Sequence, residues 1–143
     1  SPLWELGEDY NHGTGHGVGF FLNVHEAPNG FRYKKVPERD DGAVFEEGML
    51  TSDEPGYYAE GKFGIRHENL LLCVNDRKTP YGEYLKFETV TLVPFDLDAI
   101  DKKLLTDKEK ELLNAYHKRV REKLKPYLTK EESAWLEKAT RAI

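Results

Sequence analysis

The sequence predicts an α+β chain, and three observations carry that expectation. Short apolar runs punctuated by Pro, Gly and Asn fill the first hundred residues. After residue 100 the apolar residues recur at three and four instead of alternating. The expected strands all come first and the expected helices last, whereas a parallel α/β chain interleaves them.

Taken in order, Pro2-Leu3-Trp4 precede a polar turn, as though the sequence opened inside an element. Gly13-Thr14-Gly15-His16-Gly17-Val18-Gly19 carries four glycines in seven residues. Each costs ~1 kcal/mol relative to Ala within a helix, so an irregular frame is expected there. Val18 to Val24, rich in Phe and Val, predicts a strand closed by a turn at His25-Glu26-Ala27-Pro28-Asn29-Gly30. Residues 31–48 predict a long surface loop. Met49-Leu50-Thr51 begins a strand that Pro55-Gly56 breaks, and Tyr57-Tyr58 to Phe63 turns about Glu60-Gly61-Lys62. Ile65 to Val74 predicts one strand with Leu70-Leu71-Leu72 and Cys73 buried. Asn75 to Gly82 predicts a loop, and the alternation of Leu85 to Val93 predicts a half-buried strand ended by Pro94.

In the tail, Thr106-Asp107-Lys108-Glu109 has the spacing of a capping box. Leu112, Leu113, Tyr116, Val120 and Leu124 then predict an amphipathic helix over 107–125, stopped before Pro126, with His117 on its solvated side. Thr129 and Glu132 cap a second helix carrying Trp135, Leu136 and Ala139, with Trp135 expected in a core or a contact between copies.

With 143 residues, the chain can bury roughly 68–70% of its unfolded surface. Its 38% hydrophobic and 33% charged content excludes a disordered or collagen-like polymer. No apolar run approaches the ~20 residues of a membrane span, and the first residues have no leader-like apolar segment. A single cysteine, Cys73, excludes an internal disulfide framework and suits a reducing compartment, so a cytoplasmic protein is expected. The net charge of -5 is uneven: residues 1–100 hold 9 Lys+Arg against 18 Asp+Glu, and residues 101–143 hold 12 against 8. The basic tail alternates in sign at helical spacing, which marks a solvated face and not a nucleic-acid surface.

The acidic part holds His12, His16, His25 and His67, and that combination suits a cation site. Familiar motifs do not fit the glycine segment. Counted from Gly13, the third glycine of a dinucleotide fingerprint falls on Val18, no Gly-Lys-Ser/Thr follows, and His25-Glu26 opens no His-Glu-x-x-His. Glu54 lies where a strand breaks at Pro55. On the strand expected over Ile65 to Val74, Arg66 and Glu68 share a face with Leu70, so both charges need partners. Two arrangements answer that need: an ion pair, or ligation of a hard cation by Glu68 with Arg66 offering positive charge to an oxyanion.

Four motifs in order, His12-Gly13-Thr14-Gly15-His16-Gly17-Val18-Gly19, Asn23-Val24-His25-Glu26-Ala27-Pro28, Thr51-Ser52-Asp53-Glu54-Pro55-Gly56-Tyr57-Tyr58 and Gly64-Ile65-Arg66-His67-Glu68-Asn69, resemble the aminopeptidase P group of the M24 metallopeptidases. The resemblance implies the C-terminal half of a pita-bread fold over residues 1–100 and a helical C-terminal extension over 101–143. It implies His16, Glu54 and Glu68 as metal ligands, with Glu68 between two divalent ions, manganese in this group with zinc or cobalt as alternatives. It implies His12, His25 and Arg66 as catalytic and substrate-binding residues around a scissile Xaa–Pro carbonyl. It further implies proline-containing peptide substrates and a homodimer through the C-terminal region, with no membrane or nucleic-acid partner.

One departure stands out. The group's site needs five ligands, two of them aspartates spaced Asp-x(10)-Asp upstream of the first His motif, and these 143 residues lack that pair. The expectation is a fragment with three of five ligands, inactive by itself and exposing apolar surface. A prolidase-type dipeptidase, or a pita-bread interaction module without catalysis, remain as alternatives; the presence of His12, His16, His25, Glu54 and Glu68 argues against the second.

Overall fold

A computed structural model describes residues 2–21, 23–34, 36–40 and 42–143, and the backbone alone at Pro37. Leu22, within the strand expected over Val18 to Val24, and Lys35 and Asp41, within the loop expected over 31–48, lie outside the described residues. The chain forms two compact units, Ser1–Thr91 and Leu92–Ile143. Antiparallel strands fill the first and helices the second, so the α+β expectation holds.

In the first unit a single helical turn, α1 (Pro2–Glu5), precedes the glycine frame. Strand β1 (Gly15–His16) pairs with β2 (Gly30–Phe31). Strand β3 (Leu50–Asp53) is followed by the hairpin of β4 (Gly56–Ala59) and β5 (Phe63–Arg66). The long β6 (Asn69–Thr79) lies between β3 and β7 (Gly82–Thr89) in a three-stranded antiparallel sheet. A bridge from Gly17 to Thr51 brings the glycine frame onto β3. Thr51, Ser52 and Cys73 are buried, and Phe31, Phe45 and Phe87 form a ring cluster with centroids 5.0–5.4 Å apart.

Several expectations are corrected here. The described residues of Val18 to Val24 form no strand. Gly19 N–H donates to the Asn23 carbonyl and Glu26 N–H to that of Gly17, so the segment folds back on itself, and Phe20 and Phe21 are exposed. Ile65 to Val74 is not one strand: it breaks at His67-Glu68, where His67 N–H turns away to the Pro55 carbonyl. Arg66 therefore ends β5, Glu68 precedes β6, and the two do not share a strand face. Asn75 to Gly82 is not a loop, because β6 runs on to Thr79 and pairs with β7, with a register shift between Asn75 and Arg77 absorbing the irregularity. The last strand spans Gly82–Thr89, earlier than Leu85 to Val93. Leu70, Leu71 and Leu72 are only half-buried, whereas Cys73 is buried as expected.

In the second unit α2 (Asp107–Leu124) and α3 (Lys130–Ala139) carry the two capping boxes the sequence predicts. Thr106 Oγ1 accepts from Glu109 N–H while the Glu109 carboxylate accepts from Thr106 N–H; Thr129 and Glu132 repeat the arrangement. Leu97, Val120 and Leu136 form the buried core. His117 is not solvated. It has no exposure, Nε2 accepts the Phe95 N–H at 3.0 Å, and its ring lies against Phe95 and Tyr116. Trp135 is not in the core: it is 63% exposed, beside a cleft of about 420 Å³. No helix of the described residues is long and apolar enough to cross a membrane.

Candidate metal centre

The site forms where the glycine frame crosses the end of the three-stranded sheet. A Cβ on Gly15 would overlap the Ser52 carbonyl, and one on Gly17 would overlap the Glu26 carbonyl. Only glycine permits both approaches, and they bring His16 over β3. The β3–β6 register ends on Asp53 opposite Asn69. One step further, Glu54 meets Glu68. One donor atom from each of His16, Glu54 and Glu68 lies within 4.8 Å of the others. Glu54 is buried, His16 half-buried and Glu68 exposed, so the cluster opens to solvent through Glu68.

The hydrogen bonds set the state of the imidazole. His16 Nδ1 lies 2.9 Å from the Gly17 carbonyl, which only accepts, so Nδ1 carries a proton. Nε2 then lies 3.2 Å from Glu54 Oε1. A lone pair facing a carboxylate oxygen at that distance needs a proton on Nε2 or a shared cation. One imidazole and two carboxylates, with the imidazole oriented by a backbone carbonyl, form a donor set suited to Mn²⁺ or Zn²⁺.

Glu54 is held from two further sides. Ser52 Oγ–H donates to Oε1 at 3.0 Å, and Arg66 Nη1–H donates to Oε2 at 3.1 Å. Arg66 comes within reach because the β4–β5 register sets it opposite Gly56, at the open end of the hairpin next to Pro55. Its Nε–H donates to Tyr58 Oη at 2.9 Å, and Tyr58 Oη lies 2.7 Å from His12 Nε2. Because His12 Nδ1–H donates to the Gly13 carbonyl at 2.8 Å, Nε2 accepts the Tyr58 proton. The hydrogen bonds thus run outward from Arg66, to Glu54 on one side and through Tyr58 to His12 on the other. The Arg66 guanidinium is pushed above its usual value by the Tyr58 hydrogen bond first, and by the charges of Glu54 and Glu68 against some desolvation. It stays cationic throughout the working range of any enzyme. Burial pushes the neighbouring Asp53 carboxyl up.

His25, at the end of the folded-back loop, has its ring centroid 4.3 Å from that of His16, over a cleft of about 250 Å³ that also meets Asn29 and Arg39. His12, its ring 4.6 Å from that of Tyr10, lines a larger cavity of about 800 Å³ with Trp4, Phe31 and Tyr33. All six residues expected from the sequence are therefore in one neighbourhood: three around a point, Arg66 on Glu54, His25 on His16, and His12 linked through Tyr58. His67, the fourth histidine of the acidic part, is not among the three clustered donors. Two participants were not predicted, Tyr58 as the link and Ser52 as a support. Ser52 carried a legible signal, since it stands two residues before Glu54 and so on the same face of a strand.

Residues 1–75 match metallopeptidase family M24, and residues 83–143 match the C-terminal region of peptidase M24. The chain is 47% identical to Xaa-Pro aminopeptidase 2 of Sus scrofa, over 99% of this chain and 20% of that protein. It is 45% identical to aminopeptidase P1 of Lotus japonicus, over 99% and 21%. Among solved structures it superimposes on the X-prolyl aminopeptidase of Caenorhabditis elegans, described as a cytosolic enzyme with a di-nuclear active site. The TM-score is 0.83 at 39% identity, covering 99% of this chain and 23% of that one. The chain spans about a fifth of the length of the curated relatives it matches. The two matched segments, with the similarity along nearly all of its length, make the chain a member of metallopeptidase family M24.

Proposed function

We propose that the chain forms one side of the dinuclear metal site of a Xaa-Pro aminopeptidase, an enzyme that releases the N-terminal residue from peptides with proline second. The observation that carries this reading is the convergence of His16, Glu54 and Glu68 within 4.8 Å, with His16 Nε2 turned toward a carboxylate oxygen. Two divalent ions are assigned, with manganese as the metal. When bound, such ions supply Lewis acidity to a peptide carbonyl and acidify water.

The chain's own residues have distinct tasks. Arg66 steadies the Glu54 carboxylate by holding Oε2. Tyr58 holds its proton between Oη and His12 Nε2, next to the cavity in which a peptide side chain would lie. His25, exposed beside His16, is free to hydrogen-bond a substrate carbonyl. Three donors suffice for one ion and leave a second short, so the reading requires further donors beyond these 143 residues. Residues 1–100 are assigned to the catalytic half and 101–143 to a helical extension that joins two copies in a cytoplasmic homodimer. The exposed Trp135 beside its cleft supports a role for that extension in contacts between copies.

The test is a chimera in which this chain replaces the matching part of the Caenorhabditis elegans enzyme. Mn²⁺-dependent release of the first residue from an Xaa-Pro peptide, lost with Glu54→Gln, is the expected result. A folded chimera without Xaa-Pro turnover overturns the reading, and cleavage restricted to dipeptides redirects it to a prolidase.

A further inference from the structure

Ser52 is buried without exposure in β3, and its single hydroxyl meets both His16 and Glu54. Oγ accepts the His16 backbone N–H at 3.0 Å and donates to Glu54 Oε1 at 3.0 Å. That carboxylate oxygen is the one facing His16 Nε2 at 3.2 Å. The hydroxyl has one proton to give. The other acceptor near it, the His16 carbonyl, lies at 3.5 Å, so Oε1 is the better placed. The close approach of Gly15 to the Ser52 carbonyl presses the two strands together at this point.

We propose that Ser52 is a positioning residue for the metal centre: its hydroxyl sets the spacing of His16 and Glu54 and holds Oε1 toward the point the two share. This rests on the metal-binding reading above. Arg66 restrains the carboxylate only at Oε2. Without the Ser52 hydroxyl, the carboxylate is left to pivot about its Arg66 contact and the His16 N–H loses its acceptor, so the donors no longer arrive together. Supports of this kind are worth about 10–100-fold in metal affinity.

The experiment titrates Mn²⁺ into the isotopically labelled 143-residue chain, following paramagnetic broadening of amide signals near His16, with thermal unfolding measured alongside. Ser52→Ala deletes the hydroxyl and leaves a small hole. Ser52→Val deletes it and fills the space, and Ser52→Thr keeps it. The expected result is Mn²⁺ affinity lowered about 10-fold or more in the Ala and Val variants, and within about 3-fold of the parent in the Thr variant. Parent-like affinity in folded Ala or Val variants overturns the role of Ser52 while leaving the metal centre standing. So does a folded Thr variant as weak as the Ala variant. Broadening near His16 that is absent in the parent, or that survives Glu54→Gln, overturns the metal reading and the role of Ser52 with it.

Discussion

Arg66 Nη1 reaches Glu54 Oε2 at 3.1 Å, and the other oxygen of the same carboxylate faces His16 Nε2 at 3.2 Å. One buried glutamate is thus shared between a cation that the chain supplies itself and a position suited to a metal. Arg66 holds one oxygen of the carboxylate and the Ser52 hydroxyl holds the other. Replacing Arg66 with Lys keeps the charge but loses the planar fork that contacts Glu54 and Tyr58 together. In the chimera, Arg66→Lys is expected to lower kcat/KM about 10²-fold with the fold intact. Steady-state kinetics on an Xaa-Pro peptide check this, and unchanged kinetics would count against it.

Tyr58 Oη accepts from Arg66 and donates to His12. Tyr58→Phe keeps the ring contact with His12, whose centroids lie 5.4 Å apart, and deletes the hydroxyl's bonds to His12 and to Arg66. The expected outcome is a kcat fall of about 10²-fold with an altered pH profile and little change in KM. A variant with the parent's pH profile would assign Tyr58 to packing alone.

With three donors, the chain alone is expected to bind Mn²⁺ weakly and to leave Xaa-Pro peptides intact. Turnover by the purified 143-residue chain with added Mn²⁺ would refute this.

The buried His117 makes the second unit acid-sensitive. Burial first, and then the charge of Arg121, pulls its ring below the usual value of 6.5. Nε2 accepts from Phe95 N–H, so a proton there expels the donor, and the buried Nδ1 has no hydrogen-bond partner. The unfolded chain binds this proton near pH 6.5, whereas the folded chain binds it only at lower pH. Stability is therefore full above about 6.5 and declines as pH falls from that value toward the folded one. Melting temperatures measured between pH 8 and 5 should drop across this window. His117→Gln, which retains an acceptor for Phe95, should flatten the drop.

Trp135 is 63% exposed next to Val93, Pro94 and Phe95 along its cleft. If the helical extension joins two copies, Trp135→Glu in the chimera should shift it from dimer to monomer in sedimentation velocity. A dimer that persists unchanged would exclude this face from the contact.

Much of the second unit was legible locally. Thr106 with Glu109, and Thr129 with Glu132, are three residues apart, and a capping box depends on nothing further away. Helix α2 accordingly ends at Leu124, one residue short of the expected 125. His117 was misread because helical periodicity gives the face of a residue but not what packs on that face; the chain that covers it comes from Phe95. The Val18 to Val24 run was misread for a related reason. Its composition favours a strand, but a strand needs a partner, and Gly17 and Gly19 turn the backbone onto Asn23 and Glu26 instead.

For the site, the sequence by itself determined the chemical types: imidazoles in a glycine frame, a glutamate at a strand-breaking proline, and an Arg–Glu pair at the head of an apolar strand. It also determined, through the order of four motifs, the family to which these residues belong. Their meeting within 4.8 Å was decided by the tertiary structure. His16 and Glu54 are brought together by the close crossing at Gly15, and Glu54 and Glu68 by the β3–β6 register. The break at His67-Glu68 separates Arg66 from Glu68 and turns it to Glu54. Residue spacing specifies periodicity along one strand, but it carries no information about which strands pair or in what register. Those follow from the simultaneous burial of Thr51, Ser52 and Cys73 and from the glycines that let the backbones approach.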